Sequence, residues 1–287
     1  MGTHWEIDGP RVIDVGGEHE RVTELTVGIV GGRVDVVTHD DSPTARLEVT
    51  DVEGPPLRVR WDGGRLTVSH GKDSDRTVLD ILRHTFEADR HMSVRVSISV
   101  PAETRTSVST VSAEALVSGI RGTTKANTVS GTLTLSDLAG ELDLNTVSGA
   151  VECDGVAGPL KVNAVSGSVT VQASDLSTVR VNTVSGDIEL DLVSSTSSVV
   201  SHSVSGDVTV RAPLTGFDVR ARSASGQVVV DGRTLSRSGR PGHDQGGQLR
   251  EGDGSLELRA NAVSGNVVVL RAEPRDAPRS ASWPTGG

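Results

Sequence analysis

Short runs in which apolar and polar residues alternate recur along most of the chain, separated by glycine, proline or aspartate. In the second half of the chain, each run begins two residues after a glycine, as Leu133 and Leu135 do after Gly131. Residues two apart lie on the same face of a β-strand. The pattern therefore predicts many short strands, each with one buried face.

A five-residue sequence motif, which we call the phrase, precedes each of these runs. Asn-Thr-Val-Ser-Gly and its variants occur at 109–113, 127–131, 145–149, 163–167, 182–186, 202–206, 222–226 and 261–265. All but the last of these copies are 18 to 20 residues apart. A repeat of this length indicates stacked units that bury their apolar faces against each other. We predict an all-β, single-stranded β-helix-like solenoid of about eight coils with an N-terminal β region.

We interpret the phrase as the corner of each coil. Glycine gives the backbone freedom that a turn needs, serine can bond to nearby backbone, and we expect the valine two residues before the glycine to pack inward. The asparagine should stack into a ladder of amides that hydrogen-bond from coil to coil. The residues with this structural turn or ladder role are Asn127, Asn145, Asn163, Asn182, Asn261, Gly131, Gly149, Gly167, Gly186, Gly206, Gly226 and Gly265.

The pattern divides the chain into three parts. Residues 1–105 form the N-terminal β region, with leading strands that lack the phrase. Residues 106–271 carry the repeats, and a Gly-, Arg- and Ser-rich insertion near 231–254 predicts a loop or a degenerate coil before the last turn at 261–270. Residues 272–287, which include three prolines, predict a disordered tail.

One segment of the N-terminal region has a different spacing. Apolar residues between Asp75 and Arg90 recur at helical intervals, which predicts a short helix or an ordered excursion. His84 and His91 lie in or beside this segment. Two histidines without further ligands are more typical of surface or packing residues than of a metal site.

Composition excludes several classes of function. The net charge of -10 and the pI near 5.3 argue against a protein that binds nucleic acid or an anionic membrane. The single cysteine, Cys153, allows no intramolecular disulfide and no cysteine metal cluster. The first residues do not read as a signal peptide, and no apolar run is long enough to span a membrane. We therefore expect a cytoplasmic protein with no direct membrane insertion.

We find no sequence motif of a hydrolase, a nucleotide-binding loop or a metalloprotease, so we expect neither catalysis nor a cofactor. Asp187 and Asp207 follow the glycine in adjacent coils, and the register would place them about 5 Å apart. Glu189 and Glu152 share one outward face. Such carboxylates are weak candidates for a Ca²⁺ site or for the two acids of a glycosidase. The alternative is an acidic solvated face that limits edge-to-edge aggregation.

The serial units resemble the bacterial putative-adhesin family, also described as the Toastrack domain. The resemblance covers roughly residues 28–270 and rests on the repeated Val-Ser-Gly units and on the strand ending Ser99–Arg105 that leads into them. It implies a β-helix-like solenoid without known catalytic residues. It also implies a setting in bacterial envelope-stress systems, or beside PadR-type transcription regulators.

We therefore expect a non-catalytic scaffold or protein-interaction module, monomeric or a low-order oligomer, with a protein partner and no nucleic acid. A self-assembling structural protein is the second hypothesis, because open solenoid ends can stack. A carbohydrate-active β-helix enzyme is the third, and it depends on the acidic face alone. Partner recovery, light scattering and a polysaccharide screen would discriminate among the three hypotheses.

Overall fold

The computed structural model describes residues 2–17, 20–40, 42–70, 92–194, 197–213, 216–235, 245–253 and 255–272. All regular structure in these ranges is β-strand. The helix expected between Asp75 and Arg90, the two histidines beside it and the tail from residue 273 onward lie outside the described residues.

The strands form two sheets. Sheet A contains, in spatial order, β1 (Thr3–Ile7), β6 (Leu57–Asp62), β7 (Arg65–His70), β3 (Glu24–Ile29), β9 (Arg105–Thr110), β11 (Thr124–Thr128), β13 (Leu142–Thr146), β15 (Ala157–Ser166), β16 (Val169–Ser185), β18 (Ser197–Ser205), β24 (Leu256–Ser264), β20 (Phe217–Ser223) and β23 (Gln245–Glu251).

Sheet B contains, in the same direction, β2 (Arg11–Val15), β5 (Ala45–Glu53), β8 (Ser93–Pro101), β4 (Gly32–His39), β10 (Glu114–Ser118), β12 (Leu133–Ser136), β14 (Val151–Asp154), the first residues of β16, β17 (Ile188–Leu192), β19 (Val208–Ala212), β25 (Val267–Arg271), β21 (Val228–Val230) and β22 (Arg233–Thr234).

Each coil gives one strand to each sheet, and strands from successive coils pair in parallel. Leu133 pairs with Val151 in sheet B, and Leu142 pairs with Leu160 in sheet A, so the sequence period becomes a register of one coil per unit. The predicted all-β solenoid is confirmed. The N-terminal region adds the β3–β4 and β7–β8 coils to the same stack.

At both ends, the order of coils in space differs from their order along the chain. The β24–β25 coil, the last along the chain, lies between the β18–β19 and β20–β21 coils. The β3–β4 coil likewise lies between β7–β8 and β9–β10. The expectation that 261–270 forms the last turn of the solenoid is therefore wrong. The β24–β25 coil is inserted between two others, which gives β24 and β25 a partner on both edges. The β20–β21 coil is the outermost one instead.

Antiparallel strands cover both ends of the solenoid. At the N-terminal end, β6 and β1 extend sheet A and β5 and β2 extend sheet B. At the other end, β23 pairs with β20 and β22 pairs with β21. The described parts of the 231–254 insertion thus cover the outermost coil instead of leaving the solenoid. Covered edges of this kind disfavour end-to-end pairing with other molecules.

The core is a stack of aliphatic side chains between the two sheets. Leu142, Leu144 and Val151 are fully buried, as are their counterparts in neighbouring coils. Cys153 occupies one of these inward positions, and burial raises the pKa of its thiol to about 12. Because the thiolate is the reactive form, this cysteine should be inert at neutral pH while the protein is folded.

His70, at the end of β7, is a buried titratable group. Its Nε2 lies 2.9 Å from the carbonyl oxygen of Pro55, so Nε2 carries the proton, and Nδ1 has no hydrogen-bond partner among the described residues. Burial lowers the pKa of His70 below its ordinary value, and the bond to Pro55 partly offsets this effect. The folded state therefore favours the neutral imidazole.

We predict that His70 makes the protein less stable in mild acid. Its pKa is lower in the folded state, so its contribution to stability is fully present above the unfolded pKa of about 6.5 and is lost as pH falls below that value. Melting temperatures of the wild type and of His70→Gln, measured from pH 7.5 to pH 5, should show a shallower decline for the variant. The exposed His4→Gln serves as control. Identical pH profiles for all three proteins would contradict the prediction.

Candidate functional site

In the coils that contain Thr128 and Thr146, the threonine side chain closes the corner from sheet A to sheet B. The Oγ1 atom of Thr128 accepts a hydrogen bond from the backbone N–H of Gly131 at 3.0 Å, and Thr146 does the same for Gly149 at 2.9 Å. Both threonines are buried. In these two coils, the side chain that bonds locally and points inward is thus the threonine.

The valine of the phrase points outward, so the expectation that it packs inward is wrong. The physical reason is strand alternation. In the coil that contains Leu144 and Thr146 as inward residues, Val147 must face the other way, and it is 42% exposed. The threonine hydroxyl also needs the inner position to reach the glycine N–H.

Outward valines of successive coils stack into a continuous row, which we call the valine ladder. Five of its six members are 42% to 56% exposed, and Val129 is half-buried. The row is held by backbone bonds between coils, such as Val147 N–H to the carbonyl of Thr128 at 3.1 Å. The valine ladder consists of Val129, Val147, Val165, Val184, Val204 and Val263.

A second row, the asparagine ladder, runs beside the first, two residues earlier in each coil. Asn145 donates to Asn127 at 3.0 Å, Asn163 to Asn145 at 2.8 Å, and Asn182 to Asn163 at 2.9 Å. Asn127 donates to Ser109 Oγ at 3.2 Å and so ends the ladder. Beyond Asn182, the same position is held in spatial order by His202, Asn261 and Arg222.

We predict that Asn163→Leu destabilises the protein by about 1–3 kcal/mol, because the amide both donates and accepts within the ladder and its two neighbours lose their partners. Urea unfolding measures the change. Lys161→Leu, on the same strand and exposed face, removes only a 3.5 Å ion pair and should change stability by about 0.5 kcal/mol or less. Equal losses in the two variants would contradict a specific role for the amide ladder.

The two ladders line a shallow groove of about 880 Å³ that runs along the solenoid axis. The side-chain amides of the asparagine ladder hydrogen-bond to one another along the axis, so fewer of their polar atoms are available to a partner. The valine methyls therefore dominate what the groove offers to a partner. The groove is uncharged from Asn127 to Asn182, and Arg222 carries the nearest formal charge in the asparagine row.

The glycines of the phrase allow this close stacking. At all seven positions, a Cβ atom would collide with the backbone carbonyl oxygen of the neighbouring coil. These positions are Gly131, Gly149, Gly167, Gly186, Gly206, Gly226 and Gly265.

Two of the acidic candidates, Asp187 and Asp207, lie just past the corner and accept hydrogen bonds from backbone N–H groups of neighbouring coils. Asp187 Oδ1 accepts the N–H of Asp207 at 2.9 Å, and Asp207 Oδ1 accepts the N–H of Asn266 at 2.7 Å. The two aspartates thus tie coils together. Glu189 and Glu152 are exposed on sheet B with Thr170 between them in register. Within the described ranges, no group of three or more His, Cys, Asp or Glu side chains is placed to hold a metal ion.

The valine ladder is the feature that sequence reasoning missed, although the signal was present. Leu144 and Val147 are three residues apart, so a strand cannot direct both of them inward. Residues an even number of positions from the buried Leu144 face inward. Asn145 and Val147 are one and three positions away, so both should face outward.

Two solved structures are similar to this chain. A crystal structure of a putative cell adhesion protein from Clostridium sporogenes ATCC 15579 is 12% identical with a TM-score of 0.30, covering 92% of this chain and 100% of the other. A putative lipid binding protein from Parabacteroides distasonis ATCC 8503 is 12% identical with a TM-score of 0.44, covering 92% and 97%. A search of curated proteins finds no match.

No helix in the described part of the chain is long and apolar enough to cross a membrane.

The family model described as Toastrack DUF4097 matches residues 27–270, which include the repeats and most of the N-terminal β region. The expected resemblance is therefore confirmed. This chain belongs to the Toastrack DUF4097 family.

Proposed function

We propose that this protein is a non-catalytic interaction module that binds a protein partner through the valine ladder. The observation that carries the proposal is a straight row of half-exposed valines on strands whose other outward residues are mostly polar. Lys125, Asp143 and Lys161, for example, stand one row beyond the asparagines. An aligned apolar strip with a polar rim is typical of a protein interface.

The shape of the groove favours a macromolecular partner. Sites for small molecules enclose about 70–90% of the ligand surface. Here the groove lies along the two ladders, and the valines that form one wall are themselves about half exposed. A long, open strip of this kind suits a partner that is itself extended along the axis.

The proposal that the module is non-catalytic has its own support. Asp187 and Asp207, the two carboxylates that could have formed an acid pair, accept backbone N–H groups of the next coil. Cys153 is buried with its pKa raised to about 12, so it is a poor nucleophile. As part of the proposal, we place the module in the cytoplasm, and in the stress-response or regulator-linked pathway that the family resemblance implies.

A matched set of baits tests the proposal. The wild type, the double variant Val165→Glu/Val184→Glu, and Val12→Glu would be used to capture proteins from the source cells. Val12 is 48% exposed, close to the 51% of Val165 and of Val184, but it lies on the outermost strand β2 away from the groove. The expected result is one stoichiometric partner that the wild type and Val12→Glu retain and the double variant loses.

The captured protein would then be purified and titrated against all three baits. Its affinity should fall by more than about tenfold for the double variant only, because each Glu places a charge against a desolvated apolar contact. A partner that binds all three baits equally, or no captured partner at all, would overturn the binding of another protein through the valine ladder.

A further inference from the structure

We infer that a second copy of this chain can occupy the valine ladder, in a dimer whose two-fold axis is parallel to the solenoid axis. The inference rests on the proposed function and names a partner for the same surface. The repeat distance of the ladder favours another solenoid as the partner. Coils stack about 4.8 Å apart, whereas a helix advances about 5.4 Å per turn and same-face residues of an extended strand are about 6.6 Å apart. Only another stacked solenoid keeps every rung of the ladder in register.

Charge also directs a second copy to this strip. The chain carries a net charge of -10, so two copies repel each other over most of their surfaces. The valine ladder and the amides from Asn127 to Asn182 are neutral, and this strip can meet itself without placing like charges together. An isologous contact of this kind closes as a dimer and does not propagate.

The charges beside the strip select the orientation. The row just beyond the asparagines is mainly basic, and its members in spatial order are Lys125, Asp143, Lys161, Arg180, Val200, Arg259 and Arg220. Antiparallel copies would lay this row against its own equivalent, which brings basic side chains together. With the two-fold axis parallel to the ladder, the basic rows of the two copies lie on opposite sides of the interface. This orientation also puts the Asp187 corner of one copy on the side of Arg180 of the other.

The area of contact sets the expected strength. Nine corner positions, from Val30 through the valine ladder to Ala224, share the outward orientation. At about 4.8 Å per coil and a width of two to three rows, the strip covers on the order of 500 Å² on each copy. Standard interfaces cover about 800 Å² on each partner, so this dimer should be weak and form at micromolar or higher concentration.

Three single cysteine variants test both the contact and its orientation. In Val147→Cys, Val165→Cys and Val184→Cys, a parallel dimer brings every new cysteine against its own equivalent. Each variant should therefore give a disulfide-linked dimer on mild oxidation. Cys153 is buried, and its raised pKa of about 12 keeps it out of the reaction. Cross-linking at no more than one of the three positions would overturn the parallel orientation.

Sedimentation measures the reversible dimer from about 1 µM to about 500 µM. The wild type and Val12→Glu should shift toward twice the monomer mass as concentration rises, whereas Val165→Glu/Val184→Glu should stay monomeric. A wild type that remains monomeric throughout would overturn the inference. The proposed function would survive that result if a different protein still bound in a valine-dependent manner. Conversely, a dimer without any other valine-dependent partner would support the inference and contradict a role in binding other proteins.

Discussion

Removal of residues 256–287 is expected to unfold more of the solenoid than the two strands that it deletes. The β20–β21 coil pairs in parallel with β24 and β25, and the β18–β19 coil lies on the other side of that inserted coil. The deletion therefore leaves a gap of one coil between two parts of the structure. We expect the coil at 217–230 and its covering strands β22 and β23 to lose their support.

The deleted segment contributes buried aliphatic side chains to the core. Leu256, Leu258, Val267 and Val269 are at most 2% exposed. Each such side chain contributes about 1.5–3 kcal/mol through burial, and the sum is comparable to the whole stability of a typical protein, about 5–15 kcal/mol. We expect the melting temperature to fall by more than about 10 °C.

Circular dichroism on heating and limited proteolysis with mass spectrometry would measure the effect. New cleavage sites should appear between residues 213 and 253, while the coils built from β9 to β17 stay protected. The control is a truncation after Ala272, which keeps every strand of the described residues and should leave both readouts unchanged. An unchanged melting temperature in the longer truncation would mean that β20–β21 can stack directly on β18–β19, and that the inserted coil is dispensable.

The order of the coils shows where sequence reasoning stops. The copies of the phrase ending at Gly206 and Gly226 are as far apart as those ending at Gly186 and Gly206, so the period predicts direct stacking of successive coils. The structure pairs His202 with Asn261 instead, and Asn261 with Arg222. Periodicity identifies a coil but not the edge on which it docks. That choice depends on which strand edges remain open, which is a non-local property.

Most features of the corner could be predicted from the sequence. The glycine and asparagine positions followed from the repeat, and the structure places Asn127, Asn145, Asn163 and Asn182 in one hydrogen-bonded row. Asn261 was expected in the same row, but it lies between His202 and Arg222 because its coil is inserted out of chain order. The valine was misplaced because hydrophobicity was given more weight than strand parity. In a repeat solenoid the parity is the stronger constraint, since one residue of slip would expose every inward side chain.

The same corner links stability with the proposed binding. The inward hydroxyls of Thr128 and Thr146 and the outward asparagine amides satisfy polar groups within the stack. The valines stabilise the fold less than the inward residues do, because about half of each side chain remains in solvent. Substitution of exposed valines should therefore separate binding from folding, and the experiments with Val165 and Val184 depend on this separation.

Gly186→Ala is expected to destabilise the protein by about 3–5 kcal/mol, among the largest effects of a single methyl group in this chain. Gly186 has φ of 134°, a region that residues with a Cβ rarely adopt. The added Cβ would also collide with the carbonyl oxygen of Gly167 in the coil before. Relief would require the two coils to separate, which would weaken the hydrogen bonds on either side of the corner. Urea unfolding measures the loss.

Gly28→Ala provides the matched control. Gly28 lies in β3 at the position equivalent to the asparagines, and a Cβ there meets no atom within 4 Å. Because alanine restricts the unfolded chain more than glycine does, this variant should be neutral or more stable by up to about 1 kcal/mol. The contrast isolates the geometry of the corner from the general effect of removing a glycine. Similar stability changes in the two variants would mean that the coils can move apart at little cost, and that the glycine of the phrase is not required for close stacking.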